Sequence, residues 1–155
     1  MDIASIINKL KLQPHPEGGF YSETYRSEIT IPGRDRQLMT SIYFLLASEN
    51  VSRFHRIKSD ELWFYHAGSP LIVHTLENGN HTQTLVGPNV LENELPYFLV
   101  PKDTIFGSTV SAKNSYTLVS CVVSPGFDFK DFELFSEEQL LIDFPDHQDI
   151  IKKLT

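Results

Sequence analysis

Apolar residues near the start of the chain recur with helical spacing. Ile3, Ile6, Ile7 and Leu10 fall at i, i+3, i+4 and i+7, and Asp2 stands where an N-cap would. Pro14 and Pro16 forbid continuation of that helix. Beyond them the pattern becomes one of short β-branched and aromatic segments. Strands are expected at 20–26, 38–46, 52–57, 61–66, 71–76, 82–86, 97–100, 104–110 and 115–124. Turn signals separate them at Pro32-Gly33, Gly68-Ser69-Pro70, Asn78-Gly79-Asn80, Gly87-Pro88 and Pro101-Lys102-Asp103, of which Asn78-Gly79 is the clearest hairpin turn. Helical signals return only at the end. Ser136 and Gln139 have capping-box spacing, and Pro145 can open a last turn whose apolar face is Ile150, Ile151 and Leu154. The pattern predicts an all-β sandwich or jelly-roll barrel with short terminal helices.

Composition narrows the function classes. The chain has 155 residues, 41% hydrophobic and 21% charged, which suits a single globular domain spanning 1–155. A formal charge of -7 argues against a nucleic-acid partner, because backbone phosphates call for a basic footprint. Cys121 is the only cysteine, so an intrachain disulfide and a cysteine-cluster zinc site are excluded. No apolar run reaches spanning length, and the N-terminus lacks a basic stretch followed by an apolar one, so no membrane partner and a cytoplasmic location are expected.

Most of the chemistry lies between Arg53 and His66. With Lys58-Ser59-Asp60 as a turn, the flanking strands form a hairpin in which Ile57 pairs with Glu61 and His55 with Trp63. Alternation then puts Arg53, His55, Ile57, Glu61, Trp63 and Tyr65 on one face. A cation, an imidazole and a carboxylate together are costly to bury unless they pair or meet a ligand. Two readings stay open. Arg53 and Glu61 could be an internal ion pair with His55 a satisfied core residue. Alternatively the face is a pocket floor, with His55 as proton-transfer group and Glu61 setting its tautomer or charge.

The same segment resembles the first signature of the cupin superfamily, His-x-His, three or four residues, Glu, six residues, Gly. Here it reads His55-x-Ile57, three residues, Glu61, six residues, Gly68. Pro101 to Phe106 is similar in spacing to the second signature, Pro-x-Gly, two residues, His. Three further stretches resemble the cupin family DUF985 (Cupin-5): His15 to Ser27, the segment ending Ser59-Asp60-Glu61-Leu62-Trp63, and Val119 to Glu133 with Ser124-Pro125-Gly126-Phe127-Asp128-Phe129. The resemblance implies a double-stranded β-helix enclosing a cavity, usually paired as a homodimer. It supplies no established reaction. Metal-binding cupins use three histidines and the glutamate; Ile57 and Phe106 stand at two of those positions, so no metal cofactor is expected unless a histidine such as His74 moves in.

A second likeness, over Gly19 to Tyr25, is to the metal-free nucleotide-sugar 3,5-epimerases. It implies His55 as base, Glu61 as its orienter and Arg53 as electrostatic stabiliser or anchor for an anionic substrate. A tyrosine, Tyr65 or one from strand 20–26, would return the proton. Glu23 and Tyr21 are expected on a pocket wall, and Trp63 is a core residue or a stacking platform. His15-Pro16-Glu17-Gly18-Gly19 reads first as a turn and, alternatively, as a closure in which His15 or Glu17 caps the barrel mouth. Phe127, Phe129, Phe132 and Phe135 are expected to anchor the last helices or a dimer interface, Cys121 to be an inert core thiol, and His147 to be exposed. The function expected is binding of a small polar organic molecule, with metal-independent epimerase or isomerase chemistry on a sugar-like or keto substrate. Non-catalytic binding and a storage-like barrel are the alternatives.

Overall fold

The computed structural model describes residues 2–155. The first helix, α1 (Ile3–Leu10), is capped by Asp2, whose carboxylate accepts the amide of Ala4 at 3.2 Å. Its apolar stripe and Leu12 lie on the back of one sheet against Leu45 and Leu118.

Two antiparallel sheets make the body. The six-stranded sheet runs β1 (Gln13–Pro14), β2 (Phe20–Arg26), β3 (Thr40–Ala47), β10 (Tyr116–Ser124), β5 (Asp60–Gly68), β8 (Tyr97–Val100). The five-stranded sheet runs β11 (Glu133–Leu134), β4 (Ser52–Arg56), β9 (Ile105–Val110), β6 (Leu71–Glu77), β7 (Asn80–Val86). All nine expected strands are present, with ends moved by up to two residues; the two-residue strands β1 and β11 carry too few positions to show a period. Asn78 and Gly79, with φ of 51° and 77°, form the two-residue turn between β6 and β7.

One expectation fails. β4 and β5 are not a hairpin: β4 lies between β11 and β9 of one sheet, β5 between β10 and β8 of the other. So Ile57 does not pair with Glu61, nor His55 with Trp63. His55 pairs with Phe106, and Trp63 with Cys121 and Phe98. No residue from 57 to 60 has the positive φ that a tight hairpin turn needs. The backbone there is instead tied to the loop before β9, through Asp103 N–H to the Ile57 carbonyl at 2.9 Å and Lys102 N–H to Asp60 at 2.8 Å. Residues 57–59 thus form an arch between sheets. Alternation nonetheless continues through it, and His55, Ile57, Ser59, Glu61 and Trp63 are all buried.

The main core fills the inner end of the space between the sheets, with Phe44, Leu46, Trp63, Leu71, Val73, Phe106 and Val119. Outside the five-stranded sheet, α2 (Glu137–Asp143) and α3 (Gln148–Lys153) pack Leu140, Phe144, Ile151 and Leu154 against Phe54 and Leu76. Ser136 and Gln139 complete the capping box that opens α2. The two antiparallel sheets form a jelly roll whose helices are short and terminal.

Candidate functional site

Between the sheets, bordered by Phe44 and Cys121 of the main core, lies a cavity of about 350 Å³. Its walls come from the 15–19 turn, β2, β3, β4, β5, β10 and the segment 127–132.

The turn is shaped by two glycines. Gly18 (φ 112°) lies so close to the backbone that a Cβ would meet the Val51 carbonyl oxygen at 2.0 Å; Gly19 (φ 72°) follows. Arg53 N–H donates to the Glu17 carbonyl at 2.7 Å, fixing the turn to β4. The Glu17 side chain is thereby buried and reaches His55, with Oε2 2.8 Å from Nε2. His55 Nδ1 bonds the Arg53 carbonyl at 2.7 Å, so both ring nitrogens are engaged. Below Glu17, His15 Nδ1 accepts the Glu17 amide at 3.1 Å.

Burial and pairing compete at each of these groups. Burial pushes the His55 imidazolium towards neutrality, but the Glu17 carboxylate and its hydrogen bond, helped by Glu61, more than compensate and raise its pKa. Burial would raise Glu17, yet His55 and then His15 hold it below the usual carboxylate range. His15, buried and near the His55 charge, is lowered despite Glu17. His55 and Glu17 therefore form a buried ion pair next to a neutral His15.

Glu61 is different. Burial, reinforced by the Glu17 charge and offset only in part by His55, pushes its pKa up to about 7. Among the described residues its buried Oε2 and the buried Trp63 Nε1 meet no partner of full hydrogen-bond geometry. The Trp63 indole and the Cys121 thiol still lie against the carboxyl as donors and pull its pKa back in part. The Cys121 thiol, buried at the same end, is held well above its ordinary pKa by burial and by Glu61 and Glu17. It is a core thiol that also borders the cavity.

Of the other expected site residues, Tyr21 and Glu23 line the cavity. A register shift falls between Glu23 and Tyr25, and Tyr25 is exposed while Arg26 returns to the lining. Three residues are elsewhere. Arg53 gives its guanidinium to the Pro16 carbonyl and does not face the cavity. Trp63 is buried between Phe44 and Phe106, at ring distances of 5.9 and 6.1 Å, as part of the core. Tyr65 donates to the Gly68 carbonyl at 2.6 Å, away from the lining.

Sequence reasoning missed the aromatic strap. Phe127, Phe129 and Phe132 line the cavity, with Phe132 stacked on His55 at 5.3 Å; only Phe135 packs with the last helices. The strap is held by Gly126 N–H to the Gln37 carbonyl at 2.8 Å, by Phe127 N–H to Thr40 Oγ1 at 2.9 Å, and by Arg36 gripping Asp131 through two bonds of 2.8 Å. Arg26, also unforeseen, lines the mouth, where it binds Glu23 through Nε at 2.9 Å and Nη2 at 2.8 Å. The blocks His15–Ser27 and Ser124–Phe129 contain most of these residues, so their dense chemistry was the available signal.

The donors do not fit a metal ion. Ile57 and Phe106 supply none, the Phe106 ring lies 4.2 Å from that of His55, and His55 has no free nitrogen. Among the described residues no group of three or more His, Cys, Asp or Glu side chains could hold one. His74 lies outside the cavity lining, bonded to His81 and Thr109.

Comparison with known proteins agrees with the architecture. A crystal structure of a Shewanella oneidensis protein superposes with a TM-score of 0.94 at 46% identity, covering 100% of this chain and 98% of the other. A hypothetical protein from Leishmania major gives 0.94 at 40% identity, covering 100% and 99%. An uncharacterised protein of Saccharomyces cerevisiae is 26% identical over 156 residues, spanning 90% of this chain and 78% of its own length. The model of the cupin superfamily family DUF985 matches residues 4–135, and the chain belongs to that family.

Proposed function

We propose that the barrel binds a small polar organic molecule and exchanges a proton with it through Glu61. The observation that carries this reading is the buried Glu61 carboxyl in the cavity wall, which has no ion-pair partner among the described residues. A pKa of about 7 leaves both protonation states populated at neutral pH, which suits an acid-base catalyst. The role expected of His55 as base passes to Glu61, since His55 has both nitrogens bonded. Of the buried pair beside it, Glu17 outweighs His55 and helps keep the Glu61 carboxyl protonated up to neutral pH. On a keto substrate, Glu61 removes the proton beside the carbonyl to leave an enolate. Tyr21, the tyrosine of β2 that lines the cavity, returns a proton to carbon from the other side; solvent at the mouth then reprotonates its phenolate and takes up the proton held by Glu61, which closes the cycle.

Solvent deuterium exchange into free keto-sugars tests this. The expected result is exchange that Glu61→Gln lowers about 10²- to 10⁴-fold. Exchange that survives this substitution removes Glu61 from the chemistry. The saturation of His55 favours a second reading, a binding module without turnover. Ligand-induced thermal stabilisation with no exchange would select it.

We also infer a homodimer. Leu62, Phe64, Tyr97 and Leu99 share the outer face of β5 and β8, and Phe64, Tyr97 and Leu99 are exposed there. Sedimentation equilibrium checks this, with Phe64→Glu expected to give monomer. No helix among the described residues is long and apolar enough to cross a membrane.

A further inference from the structure

Arg26 is the one arginine or lysine among the described residues lining the cavity, and it is not free. Arg26 spends Nε and Nη2 on Glu23, Nη1 on Gln37 Oε1 at 2.9 Å, and Nη2 again on the Phe127 carbonyl at 3.3 Å. Arg36 is committed to Asp131, and Arg53 is turned to Pro16. His55 is closed on both sides by Glu17 and the Arg53 carbonyl. The acids are not all matched in this way. Glu61 has no ion-pair partner among the described residues, and Asp128 adds a carboxylate at the rim, where the Arg36 guanidinium at 3.7 Å is already committed to Asp131. A phosphate or carboxylate entering here would lose its hydration and gain no unpaired cation in return.

The rest of the lining is largely apolar, with Ile42, Ile57 and Val123 beside the phenylalanines. Phe127 and Phe129 meet edge to face at 4.9 Å, Phe129 and Phe132 at 6.0 Å, and Phe129 is 49% exposed at the mouth. Rings set edge to face in this way offer a ligand ring the face of one phenyl and the edges of its neighbours. A cavity of about 350 Å³ is at the small end of the range for organic ligands.

Building on the ligand reading above, we infer that the molecule held in the barrel is an uncharged polar ring compound. It presents a hydroxyl or amide to Glu61 and lays one face on the Phe127–Phe129–Phe132 strap. This excludes the anionic, nucleotide-linked substrates that an arginine anchor at position 53 would have favoured. Sugars, nucleosides and nucleobases in their free, unphosphorylated form are the class that fits.

Matched pairs test it on the intact protein. Thermal shift and calorimetry would compare uridine with uridine 5′-phosphate, adenosine with adenosine 5′-phosphate, glucose with glucose 6-phosphate, and benzamide with benzoate. The neutral member of at least one pair is expected to bind, with its charged partner at least 10-fold weaker. That binding should drop at least 10-fold in Glu61→Leu, which removes an unpaired buried acid, and several-fold in Phe129→Ala, a half-exposed position. Equal or tighter binding of the charged members overturns the inference while leaving the ligand reading intact. Neutral binding that ignores both substitutions places the molecule elsewhere and also overturns it. A panel in which nothing binds removes the ligand reading and this inference together.

Discussion

Two buried histidine sites lie on opposite faces of the five-stranded sheet, and they behave in opposite ways. His55 and His74 are equally enclosed, at 3% and 4% exposure. His55 meets a carboxylate, and its charged form is favoured. His74, under α3, meets another histidine: Nδ1 bonds His81 Nε2 at 3.0 Å, Nε2 bonds Thr109 Oγ1 at 2.9 Å, and the two imidazoles stack at 5.2 Å. His147 adds a third ring 5.8 Å from His81 and bonds the Gly79 carbonyl at 2.9 Å, so it is not the free surface residue its acidic neighbours suggested. Burial, then the neighbouring His81 and Lys153, push the His74 pKa down to about 4. Burial alone does not decide whether an imidazole is charged; the partner does.

The sharpest way to break this contrast is Glu17→Gln, which leaves the His55 charge without its counter-ion. A loss of about 3 kcal/mol in urea unfolding at pH 6 is expected, because removing one member of a buried pair strands the other. The sign fixes the window. The raised His55 pKa makes its contribution present below 6.5 and lost as pH rises through the folded value; the lowered Glu17 pKa makes its own present above 4.5 and lost as pH falls through the folded value. NMR titration should also find the His55 pKa dropping in the variant.

Next in size is Glu61→Gln, which should stabilise. With a folded pKa of about 7 against 4.5 unfolded, Glu61 costs nothing below 4.5 and most above 7, so the variant is relieved of about 3 kcal/mol at pH 8 and under about 1 kcal/mol at pH 5, less the cost of burying the amide. A gain that does not change with pH would show that Glu61 is not the titrating group.

The outer site predicts acid sensitivity. His74 charges more readily once released, so its contribution is present above pH 6.5 and is lost as pH falls towards about 4. The melting temperature should drop by a few degrees from pH 6 to pH 5, and His74→Gln should flatten that drop. The smallest effect belongs to Arg36→Ala, which frees Asp131 and should speed amide hydrogen exchange in residues 127–132 with little change in melting temperature.

Alternation made the strands legible, because β5 and β10 each bury one side chain in two along most of their length. It also placed His55 and Glu61 in one interior without knowing which strands pair. Pairing depends on distant backbone groups. The residues that block a hairpin at 57–60 are Lys102 and Asp103, more than forty positions away. Glu17 was hidden for a similar reason. Its neighbours Gly18 and Gly19 announce a turn, but only the approach of β4 shows where the turn aims the carboxylate. The phenylalanines of the strap have no period, so nothing local separates a cavity wall from a helix anchor.

The arch at residues 57–59 has a further effect. His55 rides on one sheet and Glu61 on the other, so neither half of the jelly roll carries the pocket chemistry by itself. Fragments separated at Lys58 would each hold one member, and activity could return only when the two pieces reassociate. On the proposed reading, ligand capture would also gauge barrel closure.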